Sequence, residues 1–208
     1  MTSSFDRVES VVRCITDTCL ANEKYFGDLD SVVGDGDFGF SLARGFERVA
    51  EGWDDFDRTD IGTFLKKIAV VITSRVGGTS GPIWGTAFLK AGSAVKGKVD
   101  LTGDDVVAML RAASAGIMAR GGASLGEKTL LDSLVPMTDT IEERLAAGDD
   151  VPAILAAAAA TARTTAEATK ELEAKRGRAS YTGERSIGSV DPGAIAIAVL
   201  MEAIQESW

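Results

Sequence analysis

The sequence contains no histidine among its 208 residues. Histidine is the usual base of Ser-His and Cys-His relays, a common zinc ligand and a carrier of phosphate, so these roles are excluded for this chain. Any chemistry must instead use carboxylates, arginine, lysine, hydroxyls, backbone amides and metal ions.

Cysteine, long apolar runs and positive charge are also scarce. The two cysteines, Cys14 and Cys19, fit no zinc or redox spacing, which predicts reduced residues in or beside the core. No apolar run reaches the roughly 18 residues of a transmembrane helix, and the N-terminal residues lack the regions of a signal peptide, which predicts a cytoplasmic protein without membrane association. The net charge of -9 argues against nucleic-acid binding, which relies on clustered lysine and arginine.

Apolar residues at helical spacing are the dominant pattern of the sequence. The 208 residues, 45% hydrophobic and 25% charged, have the size and composition of one domain, residues 1–208. Apolar residues recur at helical spacing, and the pair Val32-Val33 is too short for a strand. The predicted fold is therefore all-α, with eight helices. They are expected at residues 4–25, 39–52, 59–75, 81–97, 103–120, 129–147, 151–176 and 192–207.

The densest acidic segment brings Asp30, Asp35 and Asp37 within eight residues of one another. Such a group either faces water or is neutralised by a hard cation such as Mg²⁺, which prefers carboxylate oxygen. Glycines at 34, 36 and 39 can adopt positive φ, which would let the three carboxylates converge. The segment has the form of a G-x-G-x-x-G dinucleotide fingerprint, but no strand precedes it, and its register does not fit an EF-hand. A magnesium site and a solvated Asp/Gly turn both remain open.

Three further glycine-bearing loops could contact phosphate. Residues 77–81 precede a predicted helix, where their amides and hydroxyls would form an anion nest or serve only as helix caps. Residues 121–129 nearly match a P-loop but follow no strand, so their Lys-Thr pair is expected at most to touch phosphate. Either Arg178 or Arg185 could bind phosphate, although surface ion pairing is the commoner fate of an arginine. Together these parts are what Mg²⁺ and a nucleoside polyphosphate require.

Several motifs follow one another in a fixed order: Leu29-Asp30, Gly34-Asp-Gly-Asp37, Ala43-Arg-Gly-Phe46, Gly77-Gly-Thr-Ser-Gly81, Gly126-Glu-Lys-Thr129, Leu131-Asp-Ser-Leu-Val-Pro136, Gly177-Arg-Ala-Ser-Tyr181, Gly183-Glu-Arg-Ser186 and Val190-Asp-Pro-Gly-Ala194. In this order and spacing, the chain resembles the nucleotide-binding L subunits of dihydroxyacetone kinases along essentially its whole length. The resemblance implies an eight-helix antiparallel barrel with nucleotide and Mg²⁺ at one end.

The resemblance also implies a role for individual residues. Asp30, Asp35 and Asp37 would bind two Mg²⁺ ions that bridge the phosphates of ADP or ATP, and Arg178 would be catalytic. Phosphate contacts would come from Ser41, Gly78, Thr79, Ser80 and Arg178. The nucleoside pocket would be lined by Gly121, Leu130, Asp191, Pro192 and Gly193.

Two positions depart from the family pattern. Phe38, which takes one of the implied nucleotide-binding positions, and Ser189 both stand where histidine is expected. In this family a separate K subunit holds dihydroxyacetone through a histidine, and the L subunit is recharged by ATP exchange or by a phosphotransferase-system M subunit.

The resemblance therefore implies a homodimeric phosphotransferase subunit that is active only with a K subunit and has an M subunit as a second candidate partner. Two alternatives remain open. They are a nucleotide-loaded sensor that binds a transcription regulator and a kinase subunit for another small ketose such as erythrulose. A relative of the nucleotide-binding part of fatty acid kinases is less expected, because those are longer chains with an appended partner domain.

Overall fold

The computed structural model describes residues 3–208 and, over that range, contains nine α-helices, three short 3₁₀-helices and no β-strand. The α-helices are α1 (Ser4–Ala21), α2 (Glu23–Asp30), α3 (Phe38–Glu51), α4 (Ile61–Arg75), α5 (Ser80–Ala94), α6 (Gly103–Gly121), α7 (Leu131–Ala146), α8 (Val151–Ala168) and α9 (Pro192–Ser207). The 3₁₀-helices are Trp53–Asp55, Thr169–Glu171 and Arg178–Ser186. The all-α prediction is confirmed. Residues 1 and 2 of the predicted domain lie outside the described range.

Eight of the α-helices close into a ring. From α3 to α9, each helix packs against the next one in sequence, and α1 closes the ring by packing against both α3 and α9. Helices that are neighbours in a ring and are joined by short loops run antiparallel. The ring is the eight-helix barrel that the resemblance implies, and α2 is an additional helix packed mainly on α3. The ring closes beside Arg7, whose guanidinium carbon lies 5.1 Å from the centroid of the Trp208 ring.

One continuous apolar core fills the ring. Its largest fully buried side chains are Phe26, Phe46, Phe64, Leu42, Ile61, Ile68, Ile72, Ile117 and Leu131. Alanines occupy many of the buried positions of α8 and α9, so these two helices pack closely. Burial of apolar surface on this scale is the main stabilising contribution to the fold. Among residues 3–208, no helix combines the length and the apolar character that crossing a membrane requires.

Polar side chains fix where most of the helices begin. Thr102 and Asp105 form a reciprocal capping box at α6, and the Asp60 carboxylate accepts a hydrogen bond of 2.9 Å from the amide of Thr63 at α4. Caps of this kind are worth about 1 kcal/mol each. Helix α5 differs, because its N-cap residue Thr79 makes no side-chain hydrogen bond to the helix. The first amides of α5 are therefore left without a side-chain cap.

Two predicted helix boundaries are wrong. The helix expected at residues 4–25 is divided at Asn22, whose side-chain amide donates a 2.9 Å hydrogen bond to the carbonyl of Thr18 and so competes with the helical ladder. The helix expected at residues 151–176 ends at Ala168, because the chain becomes extended at Leu172 after one 3₁₀ turn. Part of the following connection, expected as a loop, forms the 3₁₀-helix Arg178–Ser186, which is interrupted at Gly183.

Gly39 marks the closest approach of α3 to α2. A Cβ atom at this position would lie 1.9 Å from the carbonyl oxygen of Glu23 and 2.6 Å from the amide nitrogen of Gly27. Both are backbone atoms of α2, which cannot move aside as a flexible side chain can. Glycine at this position therefore allows the short distance between α2 and α3. The same distance determines how far apart the two ends of the acidic loop lie.

Candidate metal and phosphate site

The acidic loop and all three glycine-bearing loops lie at one end of the ring. Because the helices alternate in direction, the connections after α2, α4, α6 and α8 emerge on the same side. These connections are residues 31–37, 76–79, 122–130 and 169–191. The connections after α3, α5 and α7 emerge at the opposite end, where the amide of Ile61 bonds the carbonyl of Lys98. The candidate site is therefore confined to the first end.

The three carboxylates predicted as metal ligands converge there. One oxygen from each of Asp30, Asp35 and Asp37 lies within 4.8 Å of the other two. Asp30 ends α2 and Asp37 is the N-cap of α3, so both are held by helices, and the amide of Phe38 donates a 3.3 Å hydrogen bond to the Asp30 carboxylate. Asp30 is half-buried, whereas Asp35 and Asp37 are exposed. This arrangement leaves oxygen atoms of all three residues accessible to a shared cation.

The glycines of the acidic loop act in different ways. Gly36 has a φ of 76°, as the prediction of positive φ required. Gly34 and Gly39 do not, so the prediction is wrong for these two positions, where the constraint is space. A Cβ at Gly34 would lie 2.3 Å from the Asp30 Oδ1 atom. Glycine at position 34 therefore keeps the space beside Asp30 Oδ1 clear, and this is the carboxylate oxygen that does not accept the Phe38 amide.

Arg178, which is distant from the acidic loop in sequence, contacts it in the structure. Its Nη1 atom contacts the Asp35 carboxylate and lies 3.8 Å from the Asp37 Oδ2 atom. Arg185 is exposed and its Nε atom instead donates to the carbonyl of Thr182. Of the two arginines that the sequence left open, Arg178 is the one beside the carboxylates. It supplies a positive charge to a loop that otherwise carries three negative ones.

The N-terminus of α5 offers hydrogen-bond donors at the same end. Within residues 3–208, the amides of Thr79, Ser80 and Gly81 donate to no backbone carbonyl or side chain. Gly78 has a φ of 61° and has open space beside it. The Ser41 hydroxyl faces this turn, since a Cβ at Gly77 would lie 3.1 Å from it. Unpaired amides at a helix N-terminus, next to hydroxyls, suit an anion and favour the anion nest over the helix caps, while the phosphate contact itself stays a prediction.

The connection after α6 is ordered by a carboxylate. Asp132 accepts hydrogen bonds from the amides of Gly126 at 2.5 Å and Thr129 at 2.8 Å. Lys128 does not face solvent as a P-loop lysine would. Its side chain is 3% exposed, and its ammonium donates to the carbonyls of Leu172 and Ser186. The expectation that this lysine could touch phosphate is therefore wrong, because its donors are directed into the protein.

Four of the five implied nucleoside-binding residues lie at or beside the start of α9. Leu130 packs on the start of α9, where a Cβ at Gly193 would lie 3.2 Å from the Leu130 Cβ. Asp191 caps α9 through a 2.7 Å hydrogen bond from the amide of Ala194, and Pro192 occupies the first helical position. Gly121, by contrast, lies at the end of α6 against Ile83 of α5.

Phe38 occupies the core rather than the mouth of the site. Its side chain is 9% exposed, and its ring centroid lies 6.0 Å from that of Phe26. The contact that it makes to the acidic loop is the backbone hydrogen bond to Asp30. The residue that replaces the expected histidine therefore contributes packing beneath the carboxylates. Ser189, the other replacement, donates its hydroxyl to the carbonyl of Ser186.

Burial raises the pKa of Asp191 to about 7, and the neighbouring charges of Asp132 and Asp30 act in the same direction. Opposing influences are the hydrogen bond from the Ala194 amide and the positive charge of Lys128. The folded protein therefore holds a proton on Asp191 at pH values at which the unfolded chain, with the ordinary carboxyl pKa of 3.8, has lost it. Between about pH 4 and pH 7, this carboxyl makes the free energy of unfolding fall as the pH rises.

We expect Asp191→Asn to remove this pH dependence, because asparagine keeps the helix cap and cannot ionise. Between pH 5 and pH 7.5, the free energy of unfolding of the parent should fall by about 2 kcal/mol more than that of the variant. Urea unfolding in metal-free buffer measures both. The absence of histidine leaves little other side-chain titration in this range. Equal slopes for parent and variant would contradict the assignment.

Four residues that sequence reasoning missed hold the site together. Glu127 forms a bidentate pair with Arg176 at 2.7 and 2.9 Å, Asp132 orders the turn before α7, and the Thr169 hydroxyl accepts the amide of Asp191 at 2.8 Å. For Asp132, the sequence does carry a signal, because an aspartate is typical of the first turn of a helix. The other contacts join residues more than 20 positions apart, for which the sequence carries no local pattern.

The donor set at this end defines a class of protein. Three carboxylates supply the oxygen ligands that Mg²⁺ prefers, an uncapped helix N-terminus suits a phosphate, and an arginine adds a positive charge. Gly34 leaves room on Asp30 for a ligand. The residues fit Mg²⁺, and the molecule is a helical barrel with a candidate metal and phosphate site at one end. The chain belongs to the family of DAK2 domains, whose model matches residues 32–206.

Relatives with this domain are kinases or their subunits. The chain is 36% identical over 197 residues to the PEP-dependent dihydroxyacetone kinase, ADP-binding subunit DhaL, of Escherichia coli strain K12, a match that covers 95% of this chain and 93% of that one. It is 36% identical over 204 residues to L-erythrulose 1-kinase of Mycolicibacterium smegmatis, which covers 96% of this chain but 35% of that protein. The predicted resemblance to the L subunits is confirmed.

A solved structure shares the fold. The dihydroxyacetone kinase of C. freundii, in complex with AMP-PNP and Mg²⁺, matches with a TM-score of 0.77 and 28% sequence identity. The match covers 97% of this chain and 34% of that one. The helical ring described above is therefore the fold of one segment of a larger kinase.

Proposed function

We propose that this chain is the nucleotide-binding subunit of a dihydroxyacetone-type kinase. It would transfer the γ-phosphoryl group of ATP to a hydroxyl of a small ketose held by a separate K subunit and would be left with ADP, which is then exchanged for ATP or rephosphorylated in place. The observation that carries the proposal is the convergence of Asp30, Asp35 and Asp37 beside the uncapped start of α5, with Arg178 in contact with Asp35. The family membership and the ADP-binding relative support it.

In this proposal, each group of residues has a separate task. Asp30, Asp35 and Asp37 would hold two Mg²⁺ ions. When bound, Mg²⁺ would neutralise and orient the phosphate oxygens of the nucleotide, from which the phosphoryl group leaves for the ketose hydroxyl. The amides at the start of α5 and the hydroxyl of Ser41 would donate hydrogen bonds to the phosphate oxygens, because these donors are otherwise unused. Arg178 would stabilise the charge that spreads over the transferring group.

The charges at the site support this division of tasks. Three carboxylates contribute about -3 and a nucleoside di- or triphosphate about -3 to -4, a combination that would repel strongly at short range. Two Mg²⁺ ions and the guanidinium of Arg178 would leave the assembled site mildly negative. Metal-free nucleotide should therefore bind much more weakly than nucleotide with Mg²⁺.

The lack of histidine supports a separate ketose-binding partner, because this chain cannot hold a carbonyl substrate through an imidazole. We accordingly propose a K subunit as the principal partner. An M subunit of the phosphotransferase system is proposed for recharging, since relatives are described as PEP-dependent and PTS-dependent. A homodimer and a cytoplasmic location remain predictions, and light scattering on the purified protein tests the first.

Calorimetry followed by a coupled assay tests the function. We expect ADP to bind at least about 10-fold more tightly with Mg²⁺ than in EDTA, and expect ketose phosphate to form once a K subunit and a phosphoryl donor are added. Binding that ignores Mg²⁺ would contradict the site. Binding without any ketose phosphate would favour the nucleotide-loaded sensor. Nucleotide that stays bound through gel filtration would favour recharging by an M subunit, and ready loss would favour exchange with ATP.

A second candidate is a kinase subunit for erythrulose. It is favoured by the similarity to L-erythrulose 1-kinase, whose identity over this chain equals that of the E. coli subunit at 36%. The two candidates share the same nucleotide site and differ only in the ketose that the K subunit holds. The ratio of kcat/KM for dihydroxyacetone and erythrulose in the reconstituted enzyme distinguishes them.

A further inference from the structure

Lys128 is a buried cation that the proposed chemistry does not use. Its side chain is 3% exposed, and burial lowers its pKa, while the nearby Asp191 carboxyl acts in the opposite direction. Burial of an ammonium group costs several kcal/mol unless hydrogen bonds and opposite charge compensate. A surface lysine would avoid this cost. The contacts that the ammonium makes therefore indicate what it contributes.

The ammonium of Lys128 joins two points that lie 14 positions apart. It donates to the carbonyl of Leu172 at 3.1 Å and to that of Ser186. These carbonyls bracket the segment that contains Arg178, so a single side chain holds both ends of the Arg178 loop. The guanidinium of Arg178 in turn lies against Asp35. A change in the positions of the two carbonyls would therefore move Arg178 relative to the acidic loop.

The residue before Lys128 reinforces the same attachment. The carbonyl of Glu127 accepts a 3.1 Å hydrogen bond from the amide of Lys175, and its carboxylate pairs with Arg176. Lys175 and Arg176 lie directly before the turn that leads into Arg178. The turn at residues 126–129 is thus bonded to the loop at four places. Of the two bonds made by Lys128, the one to Ser186 is buried and the one to Leu172 is partly buried.

The backbone at Lys128 is held in a conformation that lysine rarely adopts. Its φ is 61°, and over residues 3–208 it is the one residue other than glycine with a positive φ. This conformation costs about 1 kcal/mol or more in an L-residue. Asp132 maintains it by accepting the amides of Gly126 and Thr129 on either side. This backbone conformation directs the side chain of Lys128 to the two carbonyls, and the hydrogen bonds formed there offset its cost.

We propose that Lys128 is a positioning residue for Arg178: its buried ammonium fixes the loop of residues 172–186 against the turn of residues 126–129, and so sets where the guanidinium meets the bound phosphate. This inference rests on the proposed function. Lys128 itself touches neither metal nor nucleotide. Its effect on ligand binding passes through Arg178.

A double-mutant cycle tests this role. Lys128→Met removes the ammonium and keeps the length of the side chain, and we expect it to weaken binding of ADP with Mg²⁺ by about 10-fold. In an Arg178→Ala background, the same change should weaken binding by less than about 3-fold, because the residue that it positions is gone. A purely structural role would give equal losses in both backgrounds, and that result, or an unchanged affinity in the parent background, would overturn the inference.

Two further variants keep the test decisive. Lys175→Met removes one positive charge from the same loop, where its side chain is 50% exposed and pairs with Glu173, and it should leave binding within about 2-fold of the parent. If Lys128→Met does not fold, Lys128→Arg retains the cation. Its smaller loss of affinity should again disappear in the Arg178→Ala background, and an additive loss would overturn the inference. A parent that does not bind ADP with Mg²⁺ would instead refute the proposed function.

Discussion

Asp35→Asn and Asp37→Asn should each weaken binding of ADP with Mg²⁺ by about 100-fold or more. Loss of residues that only orient metal ligands costs about 10- to 100-fold in metal affinity, so loss of a ligand should cost at least the upper value. Asparagine preserves the size of the side chain and removes its charge. Both residues are exposed, so the fold should be little affected. Calorimetry on the parent and the two variants measures the effect.

Asp28→Asn is the matched control. Asp28 lies in α2, two positions before Asp30, and pairs at 2.5 Å with Lys24, both side chains being well exposed. Its replacement should change the affinity by no more than about 2-fold. Titration of ADP in EDTA provides a second control, because the loss in the Asp35 and Asp37 variants should require Mg²⁺. Variants that bind as tightly as the parent would show that the carboxylates are not ligands.

Asp30→Asn is less suited to this test. The Asp30 carboxylate accepts the amide of Phe38, so its replacement alters the start of α3 as well as the candidate metal site. A loss of affinity in that variant would combine a change in ligand charge with a change in loop structure. Asp35 and Asp37 are free of this ambiguity with respect to the backbone, although Asp35 also contacts Arg178.

Gly39→Ala should lower the free energy of unfolding by about 3 kcal/mol or more. The added Cβ would overlap the carbonyl of Glu23 and the amide of Gly27, and relief requires α2 to separate from α3. In a protein of this size, such a loss should lower Tm by roughly 6 to 12 °C. Thermal and urea unfolding, each on metal-free protein, measure the two quantities.

Gly121→Ala serves as the control for Gly39→Ala. Gly121 is also helical, but a Cβ there would lie 3.3 Å from the end of the Ile83 side chain, which can rotate away, and at an ordinary contact distance of 3.9 Å from the Ala123 Cβ. Alanine has the higher helix propensity, so this variant should stay within about 1 kcal/mol of the parent. Similar stabilities for the two variants would show that the spacing of α2 and α3 is not fixed at Gly39.

Local patterns explain which parts of the molecule could be predicted. The helices follow from apolar residues at helical spacing, and the convergence of Asp30, Asp35 and Asp37 follows from their closeness in sequence and the glycines between them. The boundary at Asn22 was missed, because it depends on one side chain that competes for a carbonyl inside an otherwise continuous helical pattern.

Contacts between distant segments explain what could not be predicted. Arg178 and Asp35 are 143 positions apart, and only closure of the ring brings them together. The residues around Lys128 resemble a P-loop, which predicts a lysine near phosphate. They do not reveal the distant carbonyls of Leu172 and Ser186 to which Lys128 bonds in the structure. The sequence shows only that Phe38 stands where the family pattern has histidine. That its side chain packs on Phe26 is visible only in the structure.

The stacking of Arg7 on Trp208 has a consequence for modular assembly. Both residues lie at the end of the ring away from the acidic loop, so the chain enters and leaves the barrel on the same side. Another domain attached there would leave the opposite face open to its ligands. This geometry is compatible with matches that cover 93% of the E. coli subunit but 35% of the M. smegmatis kinase.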